Sequence, residues 1–225
     1  VVHGTSRRDV DLQGEHWSHS SVDLTDARSV DQLLADAKPD YVLHLASCVT
    51  GKREIEWIRE TMVGNLQTAV NVLVAAQEAG AEKVVLAGSL EEPDASAAVP
   101  VATSPYAASK WCASADARTM HALYGTRSAV ARIFMVYGPG QHDLMKLVPY
   151  VCLSAARSEA PELMSGGREV DWIYIDDVVE GLIELALANE VTRVWTTPRT
   201  DELAGDHCTR RSGQLGKLFT FRFVG

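Results

Sequence analysis

The chain reads as an α/β protein built on a mostly parallel sheet with helices on its faces. Two observations predict this class. Short runs rich in β-branched residues alternate with longer stretches of helical period, the pattern of successive βαβ units. One of those runs, Tyr41-Val42-Leu43-His44-Leu45-Ala46, is apolar nearly throughout, as a strand covered on both faces is.

The elements follow in order. Val1 to Thr5 reads as the end of a strand, and Ser21 to Leu24 as a short second one. A helix is predicted over Asp26 to Ala37 with Thr25 as N-cap, because Val30, Leu33, Leu34 and Ala37 fall at i, i+3, i+4, i+7. Pro39 stops it before the strand at Tyr41 to Ala46. A long helical stretch over Glu54 to Ala79 closes at Gly80, a residue suited to a left-handed C-terminal cap. Val84 to Ala87 is the next strand. Ser104-Pro105 opens a helix that runs to Tyr124 and closes at Gly125. Ser128 to Met135 is a strand leading into Tyr137-Gly138-Pro139-Gly140. A helix interrupted by Pro149, a strand near Val170 to Ile175 and a helix over Asp176 to Ala188 complete the readable part.

Length and composition narrow the classes further. At 225 residues there is room for one α/β domain with a core, but not for two full domains. No apolar run reaches the roughly 20 residues of a membrane span, and the first residues do not read as a signal peptide; a cytoplasmic protein is expected. A net charge of −9 argues against nucleic acid, which demands clustered Lys and Arg. The charge is uneven: residues 191–225 hold six Lys and Arg against three Asp and Glu, and the rest holds 15 against 27. Cys48, Cys112, Cys152 and Cys208 lie far apart without a CxxC pair, so they read as small core residues or free thiols, with no metal site.

The strongest chemical constellation is Tyr106-Ala107-Ala108-Ser109-Lys110, with Ser89 at the end of the preceding strand. An i, i+4 spacing puts phenol and ammonium on one helix face. A nearby positive charge favours the phenolate, which predicts a phenol pKa below its ordinary value near 10 and proton transfer near neutral pH. A strand-end hydroxyl could bond the same oxygen, and strand carboxyl ends are where open α/β sheets bind ligands. A Tyr–Lys pair on a wet helix face is the plain alternative.

Further matches occur in order along the chain: Asp23-Leu24 after a strand, His44-Leu45-Ala46-Ser47, Asn65 in the long helix, Gly88-Ser89, Ser104-Pro105-Tyr106 to Lys110, Arg132 to Gly140 (RIFMVYGPG), and Asp171 to Val178 (DWIYIDDV). In this order and spacing the chain resembles the extended short-chain dehydrogenase/reductases, the NAD-dependent epimerase/dehydratase family of nucleotide-sugar epimerases, dehydratases and 4-keto reductases. The resemblance covers about Val1 to Asn189. It implies a Rossmann-like doubly wound parallel sheet with a partial substrate-binding lobe. It also implies that this chain begins after the family's first strand and glycine-rich loop. Residues 1–140 would form an incomplete dinucleotide-binding domain, 141–189 a partial substrate lobe with a returning strand and helix, and 190–225 an atypical tail.

Roles carried over by the resemblance are these. Tyr106 would be the acid/base, Lys110 would hold the nicotinamide ribose and tune Tyr106, and Ser89 would polarise the reacting hydroxyl or ketone. Asp23 and Leu24 would sit beside the adenine. Leu45, Ala46 and Ser47 would line the cofactor, Asn65 would lie near that strand, and Ile133 and Phe134 would flank the nicotinamide. Arg7 and Arg8 stand where an acidic residue would bind a ribose 2′-hydroxyl. Two guanidinium groups suit a 2′-phosphate, which favours NADP over NAD, unless they are a solvated loop pair.

Departures from the family pattern shape the expected reaction. Leu90 follows Ser89 where dehydratases carry an acid, so sugar dehydration is disfavoured, while Glu91 and Glu92 look more like 4-keto-6-deoxysugar reductases; Glu91 is the added catalytic candidate. Met135 replaces a sugar-contacting Asn at a substrate position, and Lys146 and Arg168 are candidates for the substrate diphosphate by charge and position. A homodimer through a four-helix contact would follow by analogy. Two readings stay open: an NAD(P)-dependent 4-epimerase or 4-keto reductase acting on a nucleotide-linked sugar, or a non-catalytic dinucleotide-fold fragment, sensor or gene remnant.

Overall fold

The computed structural model describes residues 1–10, 14–94, 97–163, 170–189 and 194–196. Its elements run β1 (Val2–Ser6), β2 (Trp17–Ser21), α1 (Ala27–Ala37), β3 (Tyr41–His44), α2 (Trp57–Thr61), a π-helical segment (Met62–Gln67), α3 (Thr68–Ala79), β4 (Lys83–Ser89), α4 (Pro105–Tyr124), β5 (Ser128–Ile133), β6 (Met135–Tyr137), α5 (Leu147–Ala156), β7 (Trp172–Tyr174), α6 (Ile175–Leu187) and β8 (Val194–Thr196). The described residues divide into two compact units, one reaching from Val1 to Arg132 and taking in Leu182 to Asn189 with Val194 and Trp195, the other reaching from Ile133 to Gly181.

In the first unit β1 pairs in parallel with β2, and a separate sheet runs in the order β3-β4-β5-β8. β3 and β4 are parallel, with Tyr41 opposite Lys83 and His44 opposite Leu86. Between the two sheets lies a cavity of about 330 Å³, lined by His3, Gly4 and Thr5 of β1 and the Tyr41 to Ala46 run of β3, with Val30, Leu34 and Val72 beneath. Laid out as β2-β1, cavity, β3-β4-β5, the strands follow the doubly wound order 3-2-1-4-5-6, with the cavity at its first strand.

This gap explains one departure from expectation. The apolar β3 run was expected to be covered on both faces, yet Tyr41, Leu43 and Leu45 are 39%, 41% and 52% exposed while His44 is buried. Exposure with period two marks a strand covered on one face only.

The core gathers Val30 and Leu34 of α1, Ala69, Val72, Leu73, Ala75 and Ala76 of α3, Val84 and Leu86 of β4, Ala113 and Ala117 of α4, and Val130 of β5. Of the expected α1 stripe, Val30 and Leu34 are buried in this core, while Leu33 is half-buried and Ala37 exposed, both bordering the cavity. Its N-cap is Asp26 rather than Thr25, whose backbone N–H and hydroxyl both donate to Asp23 Oδ1. The second strand lies at Trp17–Ser21, earlier than the expected Ser21 to Leu24. The α3 and α4 helices close at Gly80 and Gly125 with φ of 76° and 71°, left-handed caps that glycine adopts without Cβ strain. Lys83, buried at the start of β4, donates to the carbonyls of Leu185 and Ala188, serving the orphan acceptors at the end of α6.

In the second unit β6 pairs in parallel with β7. The strand expected to run unbroken from Ser128 to Met135 is thus two elements, divided at Phe134. Gly138 is tightly placed here: a Cβ on it would meet Ile175 Cγ2 at 2.4 Å, and its φ is 155°. Tyr137 makes edge-on ring contacts with Trp172 and Tyr174.

Candidate active site

The site grows from the carboxyl ends of β3 and β4 and the first turns of α4. Ser104 caps α4, its Oγ accepting from the Ala107 N–H, and Pro105 occupies the first helical position, where no N–H is needed. That start sets Tyr106 on the first turn and Lys110 one turn later. The side chains of Ser89 and Ser47 come near enough to the Tyr106 phenol to pull its pKa down. Lys110 Nζ lies 6.0 Å from the Tyr106 ring centroid and donates to the Ala87 carbonyl at 2.8 Å.

Asn65 ties this arrangement together from below. Its Oδ1 accepts from Ser47 Oγ at 2.8 Å and from the Cys48 N–H at 2.7 Å. Its Nδ2 donates to the Cys48 carbonyl and, at 2.8 Å, to Ser109 Oγ on α4. Every polar position of this buried amide is matched, so it locks the segment after β3 to α4. Asn65 belongs to the π-helical segment, a wide turn that often marks functional positions in helices. Gly64 beside it permits the approach, because a Cβ there would stand 2.7 Å from Cys48 Cβ.

Electrostatics correct one expectation. Tyr106 was expected to be acidified by Lys110, but burial pushes its pKa above the ordinary 10; the Ser89 side chain pulls it back and the Glu91 charge pushes it further up. Lys110 itself is drawn down to about 8 by burial, against which the Glu92 carboxylate acts. In the structure the phenol therefore holds its proton near neutral pH, and the lysine is the group poised near it. His44, buried beneath, falls to about 4 through burial and the Lys110 charge, with Nε2 3.3 Å from Thr68 Oγ1.

The other sequence candidates distribute as follows. Glu91 accepts from Ser104 Oγ at 3.1 Å, and its N–H donates to Ser89 Oγ, so it stands within the constellation. Leu24, Leu45 and Ala46 line the 330 Å³ cavity. Asp23 is exposed, its carboxylate engaged by Thr25 and its pKa lowered chiefly by that backbone hydrogen bond. Arg7 and Arg8 are exposed just beyond β1. Ile133 ends β5, Phe134 follows it, Met135 opens β6, and Lys146 caps α5. Arg168 lies outside the described residues. Sequence reasoning missed Glu92, Ser114 and Arg132 as a connected group. The available signal was Gly88, where a Cβ would meet Glu92 Oε1 at 2.6 Å and Val130 Cγ1 at 2.7 Å.

The donors fit the nicotinamide-ribose end of a dinucleotide. Lys110 has two ammonium protons beyond the one given to Ala87, Tyr106 offers its hydroxyl from the first turn of α4, and Ser47 Oγ, whose proton goes to Asn65, can accept. Among the described residues no glycine-rich strand-to-helix turn is available for the pyrophosphate. Among them, too, no cluster of His, Cys, Asp and Glu could hold a metal, and no helix is long and apolar enough to cross a membrane.

Comparison with known proteins identifies the family and the fold. The model of the NAD dependent epimerase/dehydratase family matches residues 2–195. UDP-glucuronate 4-epimerase of Thermodesulfobacterium geofontis is 27% identical over 180 residues, covering 76% of this chain and 55% of that protein. dTDP-glucose 4,6-dehydratase of Shigella flexneri is 28% identical over 195 residues, covering 75% and 54%. Among solved structures, DesIV, a dTDP-glucose 4,6-dehydratase from Streptomyces venezuelae with NAD and TYD bound, superimposes with a TM-score of 0.68 at 25% identity, over 81% of this chain and 58% of that one. The UDP-glucose 4-epimerase of Thermotoga maritima gives a TM-score of 0.74 at 20% identity, over 86% and 67%. The chain thus spans a little over half the length of the curated relatives it matches.

Proposed function

Because the chain belongs to the NAD dependent epimerase/dehydratase family, we propose that its site performs redox chemistry at C4 of a nucleotide-linked sugar, as a 4-epimerase or a 4-keto reductase. One observation carries the reading: a single phenol, Tyr106, stands beside the side chains of Ser89 and Ser47 with a lysine one turn behind it. A bound nicotinamide dinucleotide supplies the hydride donor or acceptor; Tyr106 and Lys110 would hold its ribose end.

The work of the chain's own residues is proton management. For reduction of a 4-ketone, Tyr106 gives its proton to the carbonyl oxygen as hydride adds to C4, and the raised phenol pKa keeps that proton available. For 4-epimerisation the phenol would first have to lose its proton to solvent, which its raised pKa opposes and the positive charge of an oxidised nicotinamide would favour; the phenolate would then take the C4 hydroxyl proton as hydride leaves C4. The ketone so formed is then reduced on its other face, with Tyr106 returning the proton. Ser89 donates to the same oxygen in either direction. Glu91, bonded to Ser104 and to Ser89, supports the placement of both. Leu90 has no proton to give, which speaks against loss of a sugar hydroxyl as water. The relatives at similar identity include both epimerases and dehydratases, so this distinction rests on Leu90 alone.

NADP is the proposed cofactor on the strength of Arg7 and Arg8 after β1; solved relatives carry NAD. Met135, Lys146 and Arg168 stay the substrate-side candidates, and Ile133 and Phe134 those beside the nicotinamide. A homodimer through the α2–α3 run and α4 belongs to the same proposal, supported by exposed Ile58, Val63 and Val74, as does a cytoplasmic location.

The test is conversion by the protein expressed from its full reading frame. Sugar nucleotides carrying UDP or dTDP are offered with oxidised cofactor, and 4-keto sugar nucleotides with reduced cofactor. A C4 epimer formed without net cofactor change, or a 4-hydroxy product with cofactor oxidised, supports the proposal. Formation of a 4-keto-6-deoxy sugar from the first set refutes the role given to Leu90, and no conversion in either set favours a non-catalytic dinucleotide-fold protein.

A further inference from the structure

Glu92 is the most deeply buried carboxylate among the described residues, with its side chain fully enclosed. Its Oε1 accepts from the Ser89 N–H at 2.8 Å. Its Oε2 accepts from Ser114 Oγ at 2.7 Å and lies 3.6 Å from Arg132 Nη2. One side chain thereby joins the end of β4, the middle of α4 and the end of β5. The segment carrying it is folded back by a turn, Glu92 N–H to the Ser89 carbonyl, and Arg132 also donates to the Pro93 carbonyl. Room for the carboxylate exists only because residue 88 lacks a Cβ.

Such a group is expensive to bury unless its charge is used, since taking an ion out of water is repaid only by excellent pairing. The Arg132 contact is long for a strong ion pair, and Arg132 Nε is buried without a partner, so that pair alone is a poor compensation. Lys110 stands one turn before Ser114 on α4, the residue that bonds Glu92 Oε2, and the Glu92 charge favours its ammonium. The titratable groups around Lys110 are His44 from β3, Glu92 from the segment after β4 and Tyr106 on its own helix; Arg132 on β5 faces Glu92.

We propose that Glu92 is a positioning residue of the proton-transfer site: its carboxylate anchors the Ser89 amide at the end of β4 and stands as the counter-charge to Lys110, one helical turn from the Ser114 hydroxyl it binds. The proposal rests on the reading of Tyr106, Ser89 and Lys110 as the reacting set. It adds to that set a group which touches neither substrate nor cofactor. A bare brace between β4, α4 and β5 would need the hydrogen bonds but not the charge.

The test reads Lys110 directly and requires no turnover. Protein labelled with ¹³C at lysine Cε is titrated by NMR, the Lys110 signal being assigned from Lys110→Met. In the unmodified protein a midpoint near 8 is expected. Glu92→Gln keeps an acceptor for Ser89 and removes the charge, so its Lys110 midpoint moves down; Ser114→Ala removes one hydrogen bond and leaves the charge, so its midpoint stays. If Glu92→Gln alone does not fold, Glu92→Gln combined with Arg132→Met removes the pair together, and the same downward shift is expected. An unchanged or higher midpoint in a folded variant overturns the electrostatic role. In the unmodified protein, a scalar coupling across the hydrogen bond from the Ser89 amide nitrogen to the Glu92 carboxyl carbon is expected, and its absence overturns the anchoring role. A failure of sugar conversion would leave both readouts standing, so the two proposals fail separately.

Discussion

Tyr106, Lys110 and Ser89 were legible as residue types at a spacing, and the structure brings their side chains together. Their protonation was not legible, because it depends on burial. A spacing argument counts the ammonium four residues on but not the desolvation that raises Tyr106 and lowers Lys110. His44 shows the same lesson with a measurable consequence. Its folded-state pKa of about 4 is below the ordinary 6.5, so between these values the unfolded chain takes up a proton that the folded chain refuses. The stability it contributes is complete above pH 6.5 and is lost as pH falls toward 4, by on the order of 3 kcal/mol. His44→Gln should flatten that limb of a urea-denaturation series between pH 4 and 7; an unaltered slope would show that His44 is not its source. At the far end of the site, Arg7→Asp should weaken NADP binding at least tenfold more than NAD, about 1.4 kcal/mol of difference. Equal effects would remove the 2′-phosphate role.

Helices with punctuation were placed well from sequence. Ser104-Pro105 and Gly125 bound α4 at the expected residues, since a cap and a left-handed stop are local chemistry. Boundaries decided by tertiary contacts were placed less well: β2 lies several residues early, β5 and β6 divide at Phe134, and the long helix contains a π-helical segment. Asn65 was expected near β3; what no periodicity could reveal is that its amide makes four hydrogen bonds to three residues, Ser47 and Cys48 after β3 and Ser109 on α4. Asn65→Ala should destabilise the protein by about 2–4 kcal/mol, because Ser47, Cys48 and Ser109 lose buried partners together. Gly88→Ala should cost about 1–3 kcal/mol by overpacking against Glu92 and Val130. Thermal melts measure both, and a neutral Gly88→Ala would mean that the Glu92 carboxylate is free to step aside.

For the molecule as a whole, the parallel sheet was legible from alternation of strand and helix patterns, and the cavity beside β3 follows from the strand order. The apolar run at Tyr41 to Ala46 suits a strand with neighbours on both sides, and in this structure one side has a cavity. An edge with few contacts opens more readily than a central strand. Amides of β3 should therefore exchange with deuterium faster than those of buried β4, whose Val84, Val85 and Leu86 are at most 3% exposed. Equal protection in β3 and β4 would indicate that the cavity is closed in solution.

The claim on which the account turns is that one phenol moves the proton. Tyr106→Phe, made in the full reading frame, removes a single oxygen and leaves the ring. Measured side by side, turnover of the best sugar nucleotide should fall by about 10²–10⁴-fold while the cofactor dissociation constant changes less than severalfold. Turnover kept at its original rate with the hydroxyl gone would contradict it.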